Sequence, residues 1–68
     1  MIIKNGNKEI NVYDVYDSVS NDIIVLAYEG IFVLKDYTLI NTETKEEVLI
    51  NHTDYKILDK MLGDNLPF

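Results

Sequence analysis

The sequence predicts a mostly β domain of the α+β class, a five-stranded antiparallel meander or small barrel with one short C-terminal helix. Three stretches carry that expectation. Ile23–Asp36 reads IIVLAY-EG-IFVLKD, two strands joined by a tight turn and apolar on both faces. Asn5-Gly6 separates two strand-like stretches with a strong short-range hairpin signal. From Thr53 onward the apolar residues change to helical spacing, with Tyr55, Leu58 and Leu62 on one face.

Taken in order, Ile2–Lys4 forms a short first strand and Lys8–Tyr16 a longer second one. The second holds a doubled Val-Tyr-Asp, Val12–Asp14 and Val15–Asp17. A period of three fits neither strand nor helix, so a bulge is expected near Asp14. Asp17–Asp22, DSVSND, is a turn cluster.

In the central hairpin, Glu29-Gly30 is the expected turn, pairing Leu26 with Val33 and Val25 with Leu34. One face then carries Ile23, Val25, Ala27, Phe32 and Leu34, and the other Ile24, Leu26, Tyr28, Ile31 and Val33. A hairpin with one wet face alternates apolar and polar residues, and this one does not. Exposing Ile23, Val25, Phe32 and Leu34 would forgo about 1.5–3 kcal/mol per side chain. Over four residues that rivals the ~5–15 kcal/mol that holds a domain folded. Both faces therefore call for cover, from a sheet that curls into a barrel or from a second chain.

Ile31–Asn41 has no Gly or Pro, so the fourth strand is expected to run on, bent around Asp36, as a strand shared by two halves of a barrel does. Thr42–Glu46 is a polar loop and Glu47–Ile50 the fifth strand. The helix has Thr53 as its expected N-cap, Asp54 in the first turn, and Gly63 as its C′ residue. Ile57 and Met61 flank its apolar face, which reads as a lid on the sheet. Leu66, Pro67 and Phe68 end the chain.

Sixty-eight residues make one domain, 1–68, near the lower limit for folding without staples. There is no cysteine, hence neither a disulfide nor a Cys-based zinc site. The first ten residues lack the apolar core of a secretory signal, and the longest apolar run, Ile23–Tyr28, is too short to span a bilayer. These features suit a cytoplasmic protein without membrane contact. Asn51-His52-Thr53 matches the N-glycosylation sequon and reads as chance in that setting.

In size and strand count the outline resembles small SH3-like and Sm-like barrels, without the glycine and aspartate pattern of the Sm motif.

Twelve acidic residues face six lysines and no arginine, for a net charge of −6. From Glu9 to Leu34 there are five acids and no base. Phosphate recognition depends on basic clusters and arginine forks, so direct nucleic-acid binding is disfavoured. An acidic surface suits a protein partner with a basic surface, or serves solubility. Abundant Ile, Asn, Lys and Tyr with a single Ala match the codon bias of an AT-rich genome, as in low-GC bacteria and their mobile elements.

No constellation names a reaction. His52 is the sole histidine, and nothing in the sequence ties it to Ser18 or Ser20, so no catalytic residue is assigned. Asp14, Asp17, Asn21 and Asp22 are oxygen-rich but lack the spacing, central Gly and terminal Glu of an EF-hand loop, so no metal or other cofactor is expected. Five tyrosines in a chain without tryptophan supply amphipathic aromatic surface of the kind that anchors interfaces. Tyr55 belongs with the core.

The expected function is thus a small acidic, non-enzymatic protein-binding module, of the kind that phages and mobile elements use to inhibit host proteins. Its candidate partner-binding residues are Tyr13, Asp14, Tyr16, Asp17, Asp22 and Glu29. The alternative is a homo-oligomeric assembly protein pairing through its apolar hairpin.

Overall fold

A computed structural model describes residues 1–64. Six strands follow one another as β1 (Ile2–Asn5), β2 (Lys8–Asp17), β3 (Ile23–Ala27), β4 (Gly30–Lys35), β5 (Thr38–Asn41) and β6 (Glu47–Leu49), and α1 (His52–Asp64) completes the chain. Every strand pairs antiparallel with its sequence neighbours, giving the order β1-β2-β3-β4-β5-β6. The sheet curls into a nearly closed barrel.

Side chains bridge the seam between β1 and β6. Asn5 Nδ2 of β1 donates to the Leu49 carbonyl of β6 at 2.7 Å, and beside it Lys8 at the start of β2 pairs with Glu46 just before β6.

There are six strands rather than five because Ile31–Asn41 is not continuous. Lys35 pairs with Thr38, so Asp36 and Tyr37 form a two-residue turn. Asp36 takes φ +53°, a left-handed conformation that aspartate tolerates better than most side chains. A turn made this way needs neither Gly nor Pro.

Both tight turns expected from sequence are displaced by one residue. Asn5 pairs with Lys8, which makes Gly6-Asn7 the first loop. Gly6 at φ +60° occupies its first position, where a type II′ turn requires glycine. In the central hairpin the loop is Tyr28-Glu29, and Ala27 pairs with Gly30. Val25 therefore opposes Phe32, and Leu26 opposes Ile31.

The pairing differs from expectation by two positions, an even number, so each residue keeps its expected face. Gly30 opens β4 at φ +149°, and a Cβ there would lie 3.0 Å from Asn41 Nδ2.

The expected bulge is present: Val12 pairs with Ala27 and Asp14 with Leu26, leaving Tyr13 as the extra residue. That insertion lets Val12 and Val15 both point inward. With Val25, Phe32, Leu34, Leu39, Val48 and others they form a single core.

The helix joins that core through Leu58, which is fully buried, with Tyr55, Met61 and Leu62 packed alongside. Ile57 departs from expectation. It is 40 % exposed, because a residue one step from Leu58 is turned about 100° around the axis.

The N-cap is Asn51 rather than Thr53. Its Oδ1 accepts the Asp54 N–H at 2.7 Å, and its carbonyl accepts the Tyr55 N–H at 3.0 Å. Gly63 lies within the helix without a positive φ, so it is not a left-handed C′ residue. Leu66, Pro67 and Phe68 lie outside the described residues. Among the described residues, no helix is long and apolar enough to cross a membrane.

Candidate partner-binding surface

The second half of β2 and the turns beside it carry the six residues expected to bind a partner. Tyr13 is 54 % exposed and Tyr16 43 %, so neither belongs to the core. Tyr13 stands out because it is the bulge residue. Its ring lies 5.1 Å from that of Tyr28 on the β3–β4 loop, which is itself largely exposed.

Asp14 accepts the Val15 N–H at 2.9 Å. Asp17 ends β2, and Asp22 closes a turn in which Ser18 and Asp22 exchange hydrogen bonds. Glu29 is at the opposite end of β3 from Asp22, separated by roughly 20 Å of extended chain. The six therefore form a strip along β2 and β3 rather than a compact cluster.

Glu29 has a structural duty. Its carboxylate accepts the Asn11 N–H and the Asn11 Nδ2–H, each at 2.6 Å, while Tyr28 N–H donates to the Asn11 carbonyl at 3.0 Å. These bonds latch the β3–β4 loop onto β2 beside the bulge and place the loop one residue earlier than local turn preference does.

Hydrogen bonds to the charged form hold the Glu29 carboxyl below its ordinary value of 4.5, that from the Asn11 backbone contributing most. A carboxyl depressed in the folded state adds stability that is present above the unfolded value and lost as pH falls through the folded one. Glu29→Gln is expected to lower the urea midpoint near neutral pH and to converge with wild type below about pH 4.5, which flattens the acid limb of stability. An acid limb unchanged in the variant would show that the latch contributes nothing.

The outer face of the sheet carries a group of residues that the strip alone does not include. Tyr16, Ile24, Val33, Ile40 and Glu47 align in one cross-strand row, with Asp14, Leu26 and Ile31 in the next. Ile24, Leu26, Val33 and Ile40 are half-buried and Ile31 is 49 % exposed. Barrel closure thus covers one face of the central hairpin, not both. Val25 and Phe32 are enclosed, while the residues of the opposite face remain half-buried or exposed. The lack of alternation in Ile23–Leu34 was the signal for this surface.

Other features are accounted for locally. The barrel mouth opposite the helix holds an open cavity of about 350 Å³, floored by Ile10, Phe32 and Val48 and rimmed by Glu9, Asn41 and the Lys8–Glu46 pair. His52 begins the helix in an exposed position, its Nδ1 3.1 Å from the Tyr37 hydroxyl, and the Tyr37 ring meets that of Tyr55 at a tilt, centroids 4.7 Å apart. Those contacts tie the helix start to the β4–β5 turn. Ser18 and Ser20 hydrogen-bond to one another at 3.0 Å, in the β2–β3 turn. Among the described residues, no three acidic or histidine side chains converge in a way that could hold a metal ion.

No family model, curated protein or solved structure matches the chain.

Proposed function

We propose that this protein is a non-enzymatic binding module that occupies a basic surface on another protein. One observation carries the reading: exposed Tyr13, Tyr16 and Asp17 and half-buried Asp14 and Asp22 share β2 and its flanking turn, in a stretch with no basic residue from Glu9 to Leu34. Tyr13 and Tyr16 each offer large, rigid, amphipathic contact area at low conformational cost. Asp14, Asp17 and Asp22 add a negative field that speeds encounter with a cationic surface and disfavours nucleic acid. The codon bias and small size fit an inhibitor or regulator encoded by a phage or mobile element, acting in the cytoplasm.

Affinity purification from the native host, followed by association kinetics with the recovered protein, tests the reading. The triple variant Asp14→Asn, Asp17→Asn, Asp22→Asn is expected to lower the association rate about tenfold or more at low ionic strength and much less at high salt. Dissociation is expected to change little. Equal association rates for variant and wild type at low salt would refute the reading.

A further inference from the structure

We infer that the partner meets this protein through a short amphipathic segment, apolar on one side and flanked by lysine or arginine, laid across the outer face of β3–β5. The inference rests on the reading of an acidic binding module and adds the character of the bound chain. Ile24, Val33 and Ile40 stand side by side across three strands, with Leu26 and Ile31 in the adjoining row. A sheet face turned to water ordinarily carries polar residues at these positions. From β2 to β5 is three strand spacings, roughly 14 Å, and the two rows are about 7 Å apart along the strands.

Charge and size together select the occupant. Asp14 borders the platform on β2, Asp22 precedes β3, and Glu47 continues the Ile24–Val33–Ile40 row on β6. Lys35 is the only basic residue on β3–β5. An apolar centre with this border complements an apolar ridge with cationic flanks.

A second copy of the chain fits poorly. A stable interface takes about 800 Å² from each partner, roughly one-sixth of this molecule's 4741 Å², and five side chains in two rows offer only a fraction of that. Self-pairing would also bring together two molecules of net charge −6. A single helix, about 10–12 Å across with its side chains, matches the width available.

The test uses the isotope-labelled full chain and two synthetic amphipathic peptides, one of leucine and lysine and one with glutamate in place of each lysine. The lysine peptide is expected to shift the methyl resonances of Ile24, Leu26, Ile31, Val33 and Ile40, and the glutamate peptide to leave them in place. The variant Ile24→Thr, Val33→Thr, Ile40→Thr keeps β-branched residues at three outer positions, and unchanged Val25 and Leu58 resonances verify its fold. It is expected to bind the lysine peptide roughly tenfold more weakly.

Undiminished binding by this variant, with loss in the triple Asp→Asn variant, would overturn the apolar platform and leave the acidic module standing. Undiminished binding by both would remove the two readings together. Shifts confined to residues away from the outer face, or no shifts with either peptide, would overturn the inference. So would concentration-dependent dimers of the free chain that perturb the same methyls.

Discussion

Val25→Asp is expected to unfold the protein at neutral pH, whereas Val33→Asp, eight residues along the same hairpin, is expected to leave it folded. Val25 is fully enclosed on the inner face and pairs with Phe32, while Val33 is half-buried on the outer face. An unpaired carboxylate placed between Val15 and Phe32 in the buried core carries a penalty of several kcal/mol even after relaxation. That is comparable with the ~5–15 kcal/mol available to a small domain. At Val33 the carboxylate reaches water and the loss is that of a partly exposed apolar contact, about 1 kcal/mol. Far-UV circular dichroism with urea titration separates the two. A folded Val25→Asp protein would mean that the barrel interior admits water.

Leu58→Ala is expected to cost about 2–5 kcal/mol, and Ile57→Ala within roughly 0.5 kcal/mol of nothing. The contrast follows from geometry, since Leu58 belongs to the barrel core and Ile57 faces outward. Composition supports the helix only weakly, through Asp54 in the first turn. Its last turn holds no basic side chain, and its start is held by Asn51 and by the Tyr37–Tyr55 and Tyr37–His52 contacts. Leu58 is the one fully buried anchor of the helix, with Tyr55, Met61 and Leu62 packed beside it, so its truncation weakens docking most. Thermal midpoints of the two variants measure the difference, and equal midpoints would show that the helix is an appendage rather than part of the core.

Strand positions and their faces were legible because both depend on near-neighbour patterns. The doubled Val-Tyr-Asp on β2 announced a bulge, and Tyr13 proved to be the extra residue. The turn chemistry was less legible. Asp36 makes its turn through a left-handed aspartate that no glycine or proline advertises. The central loop sits at Tyr28-Glu29 because Asn11, far away in sequence, binds both residues. The N-cap moved from Thr53 to Asn51 for a related reason: either side chain can accept an N–H, and the chain leaving β6 decides which stands at the helix entrance.

The candidate site was legible in its charges and tyrosines, which composition displays directly. Its apolar half was visible only as an unexplained excess. Ile24, Leu26, Ile31 and Val33 are as greasy as Ile23, Val25, Phe32 and Leu34, and local sequence does not say which set turns inward.

By itself the amino-acid sequence determined the antiparallel meander, the two faces of each strand, the bulge on β2, the terminal helix and the base-free acidic stretch from Glu9 to Leu34. Each follows from residue type and spacing within a few positions. Only the tertiary structure decided that six strands curl until β1 meets β6, that Val25 and Phe32 lie inside while Ile24 and Val33 lie outside, and that Asn11 holds the loop at Glu29. Those outcomes depend on curvature and on contacts between residues distant in the chain, where the direction of closure alone chooses which of two equally apolar faces escapes water.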